Sequence, residues 1–262
     1  MAIEFDQNIE ALRQMIFAHR GLHGVYDDFK TEAPENSAIA FRRAAHFGMA
    51  IEIDVHILKD DTVVVFHDDN LKRMTGLDRE ISDCTYDELS ELTLLTKSGD
   101  KTAQHIVKFD EEFFEMMEGE FLLIELKFDT DGHRLEKKVL EILAKYGDKL
   151  AGYALQSFDP RIVRYLNRHG CSAGLLMMQR KGVSKFINTR FVARYAKAKF
   201  LSVSRDIVSE PSVQRFRSLK GPVLCWTIRN REQLRDAEDY ADGFIAEEFL
   251  DEIGYANYIT EI

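Results

Sequence analysis

The chain has no apolar stretch approaching the roughly 18 residues that a membrane-crossing helix requires. Its first residues, MAIEFDQNIEALRQMIF, lack the basic segment followed by a continuous apolar core that marks a secretory signal. The expectation is a soluble, cytoplasmic protein without a stable membrane anchor. Cys84, Cys171 and Cys225 are odd in number and far apart, so they read as reduced thiols and neither as a disulfide framework nor as metal ligands. Positive charge is in deficit: the net charge is −10 and the pI near 5.4, which argues against nucleic acid or an anionic membrane as a main partner. With only four prolines, no low-complexity tract and no charge block, nothing marks a linker. Residues 1–262 are read as one domain, within the length that a single α/β barrel commonly occupies.

What the chain does have is a repeated rhythm. After Met15–Ala18 and Ile51–Ile57 come apolar runs at Phe121–Leu126, Tyr153–Phe158, Ala173–Met178, Phe200–Val203, Val223–Ile228 and Gly243–Ala246. Helical patterns at Arg134–Tyr146, Arg161–His169, Val183–Ala198 and Arg231–Tyr240 mostly separate them. Eight strands alternating with helices predict an α/β fold, a (β/α)8 TIM barrel, although a doubly wound open sheet shares this rhythm. The stretch from about 69 to 109 is too long for an ordinary connection and predicts a small insertion after the second barrel strand's hairpin.

Chemistry concentrates in residues 17–76. Met15–Ala18 ends in His19-Arg20-Gly21, the second strand carries Glu52 and Asp54, and Val63–Phe66 ends in His67-Asp68. Two residues apart on one strand, Glu52 and Asp54 face the same side. Too few residues separate this strand from Thr62–Phe66 for a parallel crossover, so the two form an antiparallel hairpin. Centred on Asp60-Asp61, the hairpin is expected to set Asp54 opposite His67, bringing a carboxylate pair and an imidazole into one space. Any one of these residues alone reads as an ordinary surface or core group. Together, between apolar flanks, the carboxylates need a cation or donors to offset their desolvation.

The elements HRG (19–21), PENS (34–37), EIDV (52–55), VVFHD (64–68) and LKRMTG (71–76) resemble, in order and spacing, the pattern of the glycerophosphodiester phosphodiesterases. The Glu125-x-Lys127 strand end, Gln156-Ser157-Phe158 and the Trp226-Thr227 strand are similar to further parts of that pattern. The resemblance implies a metal-dependent hydrolase that converts a small-molecule glycerophosphodiester to sn-glycerol 3-phosphate and an alcohol. It implies a cap-like insertion over the barrel mouth. Glu35, Glu52, Asp54 and Glu125 are the expected ligands, and such hard oxygen donors suit Mg²⁺ or Ca²⁺ rather than zinc. Arg20 and Lys127 are expected on the phosphate, and Trp226 against the glycerol or alcohol part. His19 and His67 divide the general base and general acid roles.

One departure stands out. The last apolar run ends in Ala246-Glu247, where the family pattern has Thr-Asp-x-Pro, which puts any role of that loop in doubt. Two rival functions remain: a related lipid phosphodiesterase such as a lysophospholipase D or a sphingomyelinase D-like enzyme, and a catalytically silent binding barrel. The first calls for an apolar or basic rim, and the acidic chain shows no amphipathic anchor. The second calls for loss of a histidine or of the Glu-x-Asp pair, and all are present.

Overall fold

Each of the eight apolar runs becomes one parallel strand of a closed barrel in the computed structural model, which describes residues 9–26, 29–128, 132–179 and 189–249. In chain order the strands are β1 (Ile16–Ala18), β2 (Gly24–Tyr26), β3 (Phe29–Ala33), β4 (Ala50–Ile57), β5 (Val63–Val65), β6 (Thr93–Leu95) and β7 (Lys101–His105). They continue with β8 (Val107–Lys108), β9 (Phe121–Leu126), β10 (Gly152–Ser157), β11 (Ala173–Met177), β12 (Leu201–Ser204), β13 (Val223–Ile228) and β14 (Gly243–Ala246). The helices are α1 (Ala38–His46), α2 (Lys72–Thr75), α3 (Tyr86–Leu89), α4 (Glu111–Met116), α5 (Arg134–Tyr146), α6 (Pro160–Arg168), α7 (Thr189–Ala196), α8 (Pro211–Leu219) and α9 (Arg231–Glu238). Residues 183–188 of the expected 183–198 helix lie outside the described residues. The sheet runs β1-β14-β13-β12-β11-β10-β9-β4, and β4 pairs back onto β1, Phe17 beside Ala50, so the open-sheet alternative is excluded. Among the described residues no helix is long and apolar enough to cross a membrane.

Local chemistry starts the helices where the strands need them. Ser37 caps α1 by accepting from the Ala40 amide, Asp159 caps α6 ahead of Pro160, and Asn230 caps α9 through the Gln233 amide. The strands are buried on both faces, as parallel barrel strands must be. Ile51, Ile53, Val55, Leu122 and Ile124 pack outward in the core that also takes in helix residues such as Val139, while Phe17, Leu123, Ala154, Phe200, Leu224 and Ile245 form a separate cluster that fills the barrel. Gly174 makes room for that filling: a Cβ there would lie 2.3 Å from the Phe200 ring. Gly174→Ala is therefore expected to destabilise the protein by about 1–3 kcal/mol through overpacking, read as a lowered urea midpoint at unchanged slope. An unchanged midpoint would show that the ring moves aside freely.

The β4–β5 hairpin forms as expected, but its register differs by one. Val55 pairs with Val65, His56 with Val64 and Ile57 with Val63, and Leu58 closes onto Thr62 at 2.8 Å. The turn is thus the three residues Lys59–Asp61, with Asp61 in the left-handed region at φ 65°, and not a two-residue turn centred on Asp60-Asp61. The partner of Asp54 becomes Phe66, whose amide donates to the Asp54 carbonyl at 3.0 Å, and His67 is not directly opposite. A one-residue slip moves side chains to the other face, so Phe66 packs with Val64 and Leu58 in a second core beneath the insertion. β5 ends at Val65, which frees His67 from strand alternation.

The insertion is anchored at several points. Thr85 and Glu88 form a capping box at the start of α3, and Asp60 of the hairpin turn accepts from the Tyr86 amide at 2.9 Å. At its far side the β6–β7 hairpin reaches β3, the residues after β14 and the start of α1. The Lys97 amide donates to Glu32 at 2.7 Å, Lys97 Nζ donates to Glu248 at 2.8 Å, and Gln104 accepts from the Ile39 amide at 3.1 Å.

Candidate active site

Barrel closure sets the first and last strands side by side, Ala18 level with Ala246, so the residues that follow them, His19 and Glu247, are neighbours. His19 Nδ1 hydrogen-bonds the Glu247 carboxylate, and the other oxygen of Glu247 accepts from Arg229 Nε at 2.7 Å. Burial lowers the His19 pKa against the opposing pull of Glu247. Burial alone would raise the Glu247 carboxyl, but the hydrogen bond and charge of His19 and the charge of Arg229 hold it well below its usual range.

The chain then turns sharply. Gly21 has φ 80°, and a Cβ there would meet the Ala40 backbone at 2.9 Å, so glycine is required at this position. The turn points the Arg20 amide at Glu52 Oε2, 3.1 Å away, while its guanidinium donates to Glu35 at 2.7 Å and lies 3.4 Å from Asp54. Asn36 docks the Pro34-Glu35-Asn36 segment onto the same spot, its amide on the Arg20 carbonyl at 3.0 Å and its Nδ2 on Asp54 Oδ2 at 2.8 Å.

Asp54 of β4 is level with Glu125 of β9, and Glu52 lies two residues below on the same face. The three carboxylates are buried, with one oxygen from each within 4.8 Å of the others. Lys127 Nζ bridges Asp54 at 2.7 Å and Glu125 at 2.6 Å. Burial raises the Glu52 carboxyl well above its ordinary value, and the charges of Asp54 and Glu125 add to this. Burial would also raise Asp54, but Lys127 and Arg20 outweigh it and keep Asp54 ionised. Lys127 is held protonated, because its two carboxylates overcome its own desolvation.

His67 follows β5, the strand paired with β4, and its Nδ1 hydrogen-bonds Asp68 at 2.6 Å. Arg73, from LKRMTG, joins this corner to the rest: it donates to Asp68 at 2.6 and 3.0 Å and to Glu35 at 2.7 and 2.9 Å. Glu35 is therefore enclosed by Arg20 and Arg73 and stands outside the three-carboxylate group. Burial would raise its pKa, but the Arg73 hydrogen bonds and the two guanidinium charges hold it at about 2. Trp226, level with Ser204, lies edge-on to Phe158 at 5.7 Å between ring centres.

Of the residues expected from the sequence, the structure brings Arg20, Glu52, Asp54, Glu125 and Lys127 into direct contact, with Glu35 one ion pair away. The charge of His67 is felt at Asp54 and Glu125, and that of Asp54 at His19. Asn36, Asp68 and Arg73 were unassigned, although each lies inside a motif already noted. Glu247 had no sequence signal beyond its place at the end of the last strand, and the structure sets it against His19 through a part-buried hydrogen bond.

One further histidine lines this region. His56 Nε2 donates to the His67 carbonyl, 3.2 Å away, and burial pushes the His56 pKa down to about 4. An unfolded histidine titrates near 6.5, so between about 4 and 6.5 the unfolded chain binds the extra proton. Stability then rises with pH across that window and is lost as pH falls through it, by on the order of 1.4 kcal/mol per pH unit for this one group. His56→Gln is expected to flatten the pH dependence of the denaturation midpoint between pH 6.5 and 5. A variant with the wild-type slope would assign the effect elsewhere.

The profile of the glycerophosphoryl diester phosphodiesterase family matches residues 19–248. A glycerophosphodiester phosphodiesterase of Bacillus altitudinis is 37% identical over 131 residues, 48% of this chain and 51% of that one, so the chain spans about half the length of this relative. Among solved structures, a glycerophosphodiester phosphodiesterase of Thermotoga maritima is 26% identical with a TM-score of 0.70, over 91% of this chain and 96% of that one. A phosphodiesterase of Oleispira antarctica, solved in complex with its product sn-glycerol-3-phosphate, shares the fold at a TM-score of 0.72 and 22% identity, over 89% and 93% of the two chains.

Proposed function

Because the chain belongs to the glycerophosphoryl diester phosphodiesterase family, we propose that it hydrolyses glycerophosphodiesters to sn-glycerol 3-phosphate and an alcohol, with Mg²⁺ or Ca²⁺ at Glu52, Asp54 and Glu125. One observation carries the reading: three buried carboxylates converge at the strand ends with two cationic side chains and two carboxylate-bonded histidines around them. The donor set fits such an ion. It is all oxygen, and burial, with the charges of Asp54 and Glu125 added to it, raises the Glu52 carboxyl, a cost of ionisation that a bound cation would offset. When bound, the cation supplies electrostatic stabilisation of the charge that gathers on the phosphoryl oxygens.

The remaining work falls to the chain. Arg20 and Lys127 hold the phosphate anion, and Glu35 with Arg73 keeps the Arg20 guanidinium aimed at it. A carboxylate on Nδ1 of each histidine favours the Nδ1–H tautomer, which leaves Nε2 for the substrate. His19, kept neutral by burial, takes the proton of the attacking oxygen, whether from water or from the glycerol hydroxyl. His67, whose side chain is 33% exposed, protonates the departing alcohol from Nε2, and for this step it carries a second ring proton besides the one that Asp68 holds on Nδ1. Trp226 borders the organic part.

The test is an enzyme-coupled assay for glycerol 3-phosphate release from several head-group diesters and a lysophospholipid, with and without chelator. Release that chelator abolishes is the expected result. Turnover indifferent to chelator sinks the metal assignment, release from the lysophospholipid alone reassigns the substrate, and no release from any diester refutes the reading.

A further inference from the structure

Beside the carboxylate centre lies a second cluster of different chemistry. His23, four residues after His19 in the loop that follows β1, turns its Nε2 toward Glu247 Oε2 at 3.6 Å, too long for a hydrogen bond. That nitrogen is buried and has no hydrogen-bond partner among the described residues. The same carboxylate holds His19 Nδ1, and donor atoms of His19, His23 and Glu247 all lie within 4.8 Å of one another. Two imidazoles and one carboxylate with a fourth position open is a zinc donor set, and a tetrahedral zinc at about 2.0–2.1 Å from its ligands spaces them roughly 3.3 Å apart. Arg229 fixes Glu247 from behind, as partners of metal ligands do. A cleft of about 450 Å³, lined by His23 together with Gly24, Glu32, Lys97, Ser98 and Glu248, borders this corner on the His23 side.

The geometry points to a zinc site formed by His19, His23 and Glu247, separate from the all-oxygen centre, whose occupation silences His19. The silencing follows from one proton. Neutral His19 carries a single ring proton, which sits on Nδ1 while Glu247 accepts it, so Nε2 has a free lone pair. Zinc on Nδ1 takes that nitrogen's lone pair, the proton must reside on Nε2, and Nε2 becomes a donor that accepts nothing. The hard carboxylates keep their preference for Mg²⁺ or Ca²⁺, so the two ions sort by ligand type. The binding step stands alone, whereas the silencing rests on the phosphodiesterase reading above.

Chelator-stripped full-length protein titrated with Zn²⁺, and with Co²⁺ as a visible probe, tests the site without any activity. Wild type and Glu52→Gln are expected to show the absorption of a nitrogen-ligated four-coordinate cobalt. His23→Gln should bind more weakly by more than about tenfold, exceeding the loss that a weakened outer partner causes at the lower end, and Glu247→Gln should lose the band as well. Equal binding by wild type and His23→Gln, or loss confined to Glu52→Gln, overturns the site. In saturating Mg²⁺, His23→Gln should turn over as wild type does and tolerate at least about tenfold more Zn²⁺, in proportion to its weaker binding. Equal inhibition of the two overturns the silencing of His19. No turnover from either protein refutes the phosphodiesterase reading, and the cobalt band still decides the site.

Discussion

Glu52→Gln combined with Asp54→Asn is expected to abolish divalent binding at the carboxylate centre and to lower turnover by about 10³-fold or more, the rate equivalent of the several kcal/mol that a phosphate-bound cation contributes. The stability effect of Glu52→Gln alone should have the opposite sign to that of ordinary site damage. Burial, Asp54 and Glu125 raise the folded pKa of Glu52 above its unfolded value. The folded state thus binds the proton more tightly, and stability is lost as pH rises above about 4.5 toward the folded pKa. At neutral pH and without a cation, the folded state either buries the Glu52 charge or takes up a proton that the unfolded carboxylate lacks, a cost that glutamine removes, so the metal-free variant should melt higher than metal-free wild type. Adding Mg²⁺ or Ca²⁺ should then raise the wild-type midpoint, by about 2.7 kcal/mol at a hundredfold excess over Kd, and leave the variant unmoved. Thermal melts with and without chelator read both effects. A variant less stable than wild type in chelator, or an equal response to cation, would contradict the assignment of Glu52.

His19→Ala and His67→Ala should each lower turnover by about 10²–10⁴-fold, the usual contribution of a positioned acid or base. Neither change strands a buried charge: Glu247 keeps Arg229 and Asp68 keeps Arg73, so both variants should fold and bind cation as before. The roles separate with leaving group. A diester of a good leaving group needs little protonation, so it should restore most of the rate to His67→Ala and little to His19→Ala. Rescue of His19→Ala instead would exchange the two roles. Near-wild-type turnover of either variant on an ordinary alkyl head group would end the paired acid–base scheme.

Much of the scaffold was legible because it rests on short-range signals. The apolar runs with capped helices between them, Ser37 before α1 and Asp159-Pro160 at α6, are local patterns and correspond to elements of the barrel. The residues at strand ends were legible for the same reason. Glu52 and Asp54 share a face by strand periodicity alone, and Gly21 sits where only glycine can adopt the turn. What failed was a matter of one backbone angle: Asp61 adopts a left-handed conformation that asparagine or glycine would have advertised, and this shifts the hairpin by one residue.

By itself, then, the sequence determined the class of fold, the strands that carry the chemistry and the oxygen-rich character of the central donors, since each depends on periodicity or on residue identity. Only the tertiary structure decided which of those groups face one another. Closure of the barrel sets Glu247 against His19 across 228 positions of sequence, and Arg73 reaches back 38 positions to claim Glu35 from the other carboxylates. The physical reason is that a hydrophobic pattern specifies which face of an element is buried and not which distant element covers it. Neighbours in a closed sheet are selected by hydrogen-bond register and packing summed over the whole barrel, and a polar side chain finds its partner only after that selection has been made.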